Sequence, residues 1–135
     1  MKKRLVPLLS VLLILLACSA CASQKVTLSA EATGAVVYRH NGVAFEEALT
    51  VEQLEAVIDI VDGKKLPPET VTGVPNCYFT ENIAIVLDGR RFLLACDSCA
   101  MLKDSQTQRY ISLSETECQT LHEIFAVHGG TFPCI

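Results

Sequence analysis

Cys96-Asp97-Ser98-Cys99 is the tetrapeptide in this chain whose residue types and spacing could do chemistry. Two cysteines separated by two residues can be brought together by a tight turn or a first helical turn, which suits a reversible disulfide. The chain holds seven cysteines: Cys18, Cys21, Cys77, Cys96, Cys99, Cys118 and Cys134. Cys77, Cys96, Cys99, Cys118 and Cys134 are the candidates for disulfides in a folded domain. Six cysteines after Cys18 allow fifteen pairings, and spacing cannot choose among them. One Cys-x-x-Cys is also half of a structural zinc site, but no second pair follows it. His122 and His128 are six apart and share no helical face. His122-Glu123 opens like a zinc-protease motif, but position 126 is Ala where a second histidine is needed. His40 adjoins a hairpin turn and reads as solvated. No metal ligands, cofactor or catalytic residues are assigned. Gly-x-Ser-x-Gly, Ser-x-x-Lys and Gly-rich phosphate loops are all missing from the sequence.

In its spacing alone, Cys96-Asp97-Ser98-Cys99 resembles the thioredoxin-like redox motif. That family opens a long helix at its first cysteine, after a parallel strand. Here a hairpin strand leads in, no basic residue flanks the pair, and Asp97 disfavours a thiolate. A thiol-disulfide redox protein using Cys96 and Cys99 is therefore the alternative, and structural disulfides are the preferred reading.

The elements that would position these groups are legible. Val36 to His40, then Asn41-Gly42, then Val43 to Glu47 reads as a β-hairpin, because Asn-Gly favours the positive φ angles of a type I′ turn. Thr50-Val51-Glu52-Gln53 is a capping box flanked by a Leu49/Leu54 hydrophobic staple. Val51, Leu54, Ile58 and Val61 would line one helical face, with Gly63 as its left-handed stop. The second half repeats the pattern. Ile83 to Leu87, Asp88-Gly89 and Arg90 to Cys96 form another hairpin. Arg109 to Ser112 is a third strand. Ser114-Glu115-Thr116-Glu117 starts a helix with Cys118, Leu121, Ile124 and Phe125 inward and Gly129-Gly130 after it. The repetition is more simply a common unit used twice than a duplication. Lys64 to Pro75 reads as a connecting loop.

The expected fold class is α+β: an antiparallel sheet of about five strands, from two hairpins plus an extra strand, with two helices on one face. A two-residue turn at Asp88-Gly89 pairs Leu87 with Arg90 and, continued down the ladder, sets Tyr78 opposite Cys99. Cys77 would then approach the Cys96–Cys99 region. At least one bridge is expected from Cys77 or Cys118 to Cys96 or Cys99.

The N-terminus carries an address. Lys2, Lys3 and Arg4 precede an apolar run from Leu5 to Ala17, and small residues follow. A basic end, a short apolar stretch and a small-residue finish make an export signal. Thirteen residues at about 1.5 Å each cover about 20 Å, less than the ~30 Å hydrocarbon core. Leu15-Leu16-Ala17-Cys18 resembles the lipobox of bacterial lipoproteins, a resemblance confined to about the first eighteen residues. It implies cleavage before Cys18, a diacylglycerol thioether on Cys18 and acylation with fatty chains such as palmitate. The rivals are ordinary cleavage after Ala20-Cys21-Ala22 and an uncleaved anchor. The resulting division is a signal peptide at 1–17, a lipidated N-terminus and tether at 18–25, and one α+β domain at 26–135.

Removing Lys2, Lys3 and Arg4 from the formal charge of −4 leaves about −7. An acidic domain without a basic run argues against a nucleic-acid partner. The expectation is an envelope lipoprotein held by its lipid to the outer face of the cell membrane or to the outer membrane. It would be a non-catalytic binding or structural module stabilised by disulfides, with an envelope protein or peptide as its candidate partner.

Overall fold

In the computed structural model, residues 23–133 are described. The export signal, the lipobox with Cys18, Cys21 and Cys134 lie outside the described residues. The fold is α+β with antiparallel sheets.

Both expected turns take the expected geometry. Asn41 and Gly42 have φ of 48° and 80°, and Asp88 and Gly89 have 51° and 75°. Positive φ at both central positions matches the right-handed twist of the flanking strands. The first turn joins β2 (Gly34–His40) to β3 (Val43–Ala48), with His40 opposite Val43. The second joins β5 (Ile83–Leu87) to β6 (Arg90–Leu94), with Leu87 opposite Arg90 and Ile85 opposite Phe92. The hairpins fuse through β2 and β5, where Val36 faces Ile85. β7 (Met101–Asp104) and β8 (Tyr110–Ser112) extend the sheet beyond β6. The strand order is β3-β2-β5-β6-β7-β8.

The sheet thus has six strands rather than about five. β7 is the added strand. Its four residues, Met-Leu-Lys-Asp, carry one alternation, too short to stand out from a loop. A separate two-stranded ribbon pairs β1 (Gln24–Lys25) with β4 (Lys65–Leu66). It is fixed by distant backbone bonds, Val26 N to Lys64 O and Gly63 N to Val26 O, each 2.9 Å. The expected loop also holds a one-turn helix. Among the described residues there are therefore three helices: α1 (Val51–Val61), α2 (Glu69–Thr72) and α3 (Glu115–Val127).

Both long helices begin at the capping boxes read from sequence. Thr50 Oγ1 accepts the Gln53 amide at 3.2 Å and Gln53 Oε1 accepts the Thr50 amide at 3.1 Å. Ser114 and Glu117 do the same at 3.2 and 2.7 Å. Each box satisfies two of the amides that a helix start leaves unpaired. The stripe on α1 needs correction. Val51 is 73% exposed, and the buried residues are Val57, Ile60 and Val61. Val51 is the first helical residue and overhangs the core's rim, so its place in the 3.6-residue period did not bury it. On α3 the buried set is Cys118, Leu121, Ile124 and Phe125, as expected.

The helices and sheet share one core, with Tyr38, Phe92, Leu94 and Leu102 almost wholly enclosed. The staple closes over Gly34. A Cβ there would lie 2.8 Å from both Leu49 Cδ1 and Leu54 Cδ1. Only a residue without a side chain lets both leucines settle on β2 at that point. The opposite sheet face is partly covered by the segment before β5. Phe79 meets Tyr110, ring centroids 5.7 Å apart, and Glu81 O accepts Arg91 Nη1 at 2.7 Å.

Candidate functional site

The cysteine cluster forms where β6 ends. Beyond Leu94 the chain leaves the ladder, with Ala95 N bonded to Met101 O at 3.1 Å. Cys96 N donates to Tyr78 O at 2.8 Å. Tyr78 therefore sits beside Cys96, not opposite Cys99. The β5–β6 ladder does not extend to Tyr78, because Glu81 and Asn82 form a turn before β5.

Cys77 and Cys99 form a disulfide, with a Cα–Cα distance of 5.9 Å and a sequence separation of 22. Asp97 organises the loop around it. Its carboxylate accepts the Tyr78 amide at 2.8 Å and the Cys99 amide at 3.0 Å. The side chain thereby ties the segment carrying Cys77 to the turn carrying Cys99. Cys77 Sγ also rests 3.8 Å from Met101 Sδ.

Cys96 is buried and is itself disulfide-bonded. Since the sulfur of Cys99 belongs to Cys77, Cys96 and Cys99 are not joined to each other in this state. The donor atoms of Cys77, Asp97 and Cys99 lie within 4.8 Å of one another. With both sulfurs oxidised, that trio offers no thiolate to a metal.

Cys118 corrects one expectation. Among the candidates for disulfides, it is a free, buried thiol. It lies on the core side of the first turns of α3, while Cys77 and Cys99 satisfy one another at the end of β6. His122 Nε2 is 3.6 Å from its sulfur. The His122 ring stacks on Phe132, centroids 4.1 Å apart and nearly parallel at 11°. Burial pushes the Cys118 thiol up and the His122 imidazole down from their ordinary values. Both shifts favour neutral forms, so the pair is biased away from the thiolate–imidazolium state of a nucleophile.

His128 follows the last residue of α3 and His40 ends β2. His128 Nδ1 is 2.7 Å from Glu47 Oε2, and the imidazole stacks beside Phe45 at 5.7 Å. His128 Nε2 is buried and has no hydrogen-bond partner among the described residues. These residues line a cavity of about 270 Å³ with Tyr38, His40, Asn41 and Val43. From the sequence, His122 and His128 were weighed as metal ligands and not assigned, His40 read as solvated, and this arrangement was not legible. The cross-strand row Tyr38–Phe45 was available from the hairpin register, but the approach of α3 to Glu47 was not.

A buried ion pair was also missed. Asp104 is fully enclosed, and Arg90 grips it with Nε–Oδ1 at 3.0 Å and Nη2–Oδ2 at 2.8 Å. In the sequence Arg90 is legible only as the first residue of a hairpin strand. The Asp104 carboxylate further accepts from the Gln106 and Thr107 amides and the Thr107 hydroxyl. Burial works to raise its pKa, but the bonds from Arg90 and Thr107 and the Arg90 charge outweigh it and hold the carboxyl below its usual range. This is a structural pin at the β7–β8 turn.

Glu117 serves its capping box and also pairs with Lys64 at 2.7 Å, which ties α3 to the ribbon. No protein-family model matches the chain, and no curated protein or solved structure matches it.

Proposed function

We propose that this protein is an exported lipoprotein, acylated on Cys18 and anchored on the outer side of a membrane. Its domain acts as a non-catalytic binding module. The observation that carries the reading is Leu15-Leu16-Ala17-Cys18 behind a basic, apolar leader. Two acyl chains suffice for stable attachment. The Cys77–Cys99 disulfide supports the compartment, because such bonds persist where thiols are not kept reduced.

Two observations support binding over catalysis. Cys99 is committed to Cys77, which removes the close-spaced pair from redox duty in this state. The Cys118–His122 pair is biased to neutral forms by burial. The aromatic cavity bounded by Tyr38, Phe45 and His128 and the exposed edge strand β3 are the surfaces suited to a small ligand or an envelope peptide.

The test is mass spectrometry of the native product, with labelled palmitate fed to the cells. The expected species begins at an acylated Cys18 and fractionates with membranes, and Cys18→Ala abolishes label and membrane association together. An intact Met1 in a soluble fraction overturns the anchor. Reduction of insulin by the purified protein, lost in Cys99→Ala, would overturn the non-catalytic reading.

A further inference from the structure

Lys25 and Lys65 face each other across the β1–β4 ribbon. Both are exposed, and neither enters an ion pair among the described residues. Directly opposed like charges destabilise a strand pair. The cost is tolerable if an anion sits over them. Lys64, in the same stretch, is neutralised by Glu117, and the Arg109 guanidinium is spent on Leu66 O at 3.0 Å. The two opposed ammonium groups are thus the open cations of this end of an acidic domain.

An apolar feature adjoins them. Leu66 runs through Pro67-Pro68 directly into α2, where Val71 is 72% exposed and, just after it, Val74 is 66% exposed. Prolines set the approach, and no described residue covers either valine.

The position of the tether supplies the occupant. Gln24 is the partner of Leu66 in an antiparallel ribbon, so Ser23, the first described residue, lies on the Pro67 side of it. From Cys18 to Gln24 are six chain steps, which reach at most about 20 Å. An acyl group on Cys18 therefore holds this end of the domain close to the bilayer.

Resting on the lipid-anchor reading above, we infer that the β1–β4 ribbon and segment 67–74 form the membrane-facing surface. Lys25 and Lys65 lie on the phosphates of anionic phospholipids, and Val71 and Val74 enter the boundary between headgroups and acyl chains. Two lysines near an anionic surface each strengthen contact by about fivefold. Small apolar insertions add to this. The anchor would thus set an orientation as well as a location, leaving the His128 cavity turned outward.

The chain contains no tryptophan, so single substitutions give clean fluorescent reporters. Val71→Trp, Val74→Trp and Val127→Trp are each made in the full chain, matured in cells, and reconstituted in phosphatidylcholine vesicles with or without phosphatidylglycerol, carrying brominated acyl chains. Val127 is 75% exposed and lies along α3 well beyond the Lys64–Glu117 contact. Quenching is expected at positions 71 and 74, at least about threefold stronger than at 127, and stronger with phosphatidylglycerol. Lys25→Glu with Lys65→Glu should cut it at least about twofold in anionic vesicles while the protein still sediments with them. Equal quenching at 71 and 127 in protein that co-sediments overturns the orientation and leaves the anchor standing. Protein that carries no lipid and does not co-sediment overturns both. Retention of the Cys77–Cys99 bond in each variant checks that the domain has folded.

Discussion

Tyr38 and Thr131 clasp each other across 93 residues. The Tyr38 hydroxyl donates to Thr131 O at 2.6 Å and accepts from Thr131 N at 2.8 Å. A strand from the first hairpin is thereby locked to the segment after α3. Gly130 permits the approach, since a Cβ there would fall 2.9 Å from Phe125 O and 3.1 Å from Tyr38 Cε2. Phe132 completes the joint by meeting Tyr38, Phe125 and His122.

Tyr38→Phe keeps the rings and removes the hydroxyl, leaving a part-buried amide and carbonyl short of a partner. The expected loss is about 1–3 kcal/mol. Urea unfolding should show a lower midpoint with an unchanged slope. Gly130→Ala should cost a similar amount, by overpacking. A stability equal to wild type for both would show that the clasp carries no weight.

Opening the Cys77–Cys99 bridge frees a loop closed across a sequence separation of 22. Cys77→Ser with Cys99→Ser should lower stability by about 2–4 kcal/mol. Peptide mapping of unreduced protein should recover the 77–99 pair. Recovery of a 96–99 link instead would reverse the assignment of the motif.

Arg90→Met leaves the enclosed Asp104 carboxylate without its bidentate partner. Removing one member of a buried pair costs about 3–5 kcal/mol. Arg90 keeps some exposure, so the lower end is expected. The pH dependence has a definite sign. With the folded-state pKa depressed below the ordinary 3.8, the stabilisation is fully present above about that pH. It is lost as pH falls through the lower folded value. Acid unfolding of wild type should steepen in that range, and Arg90→Met should flatten it.

His122 gives a second, separate acid sensitivity. Burial lowers its folded-state pKa from the ordinary 6.5. The unfolded chain therefore binds its proton first as the solution is acidified, and stability declines from about pH 6.5 downward until the folded form also protonates. His122→Phe should remove this slope below about pH 6.5 while keeping a ring against Phe132. Thermal midpoints across that interval make the measurement, and an unaltered slope would count against it.

The two hairpins, both capping boxes and the buried side of α3 were legible because each is encoded within a few neighbouring residues. Asn41-Gly42 and Asp88-Gly89 dictate their own φ angles, and Thr50/Gln53 and Ser114/Glu117 satisfy one another's amides. The β1–β4 ribbon was not legible. Gln24-Lys25 and Lys65-Leu66 have no strand pattern, and their pairing exists only because α1 returns the chain to Val26. The continuation of the β5–β6 ladder to Cys99 failed for the same reason in reverse. A local rule was extended through residues 81–82, where a turn interrupts it.

By itself the sequence determined the turns, the helix starts, the α+β class and the chemical types at the cysteine loop. Those depend on backbone preferences and short-range hydrogen bonds, whose partners lie three or four positions apart. Tertiary structure alone decided that Cys99 pairs with Cys77, that Cys118 stays a thiol, that Arg90 turns inward to Asp104, and that Glu47 meets His128. Each is a meeting of groups distant along the chain. Which distant groups meet is settled by how the sheet and helices pack together, a global minimum that no local spacing records.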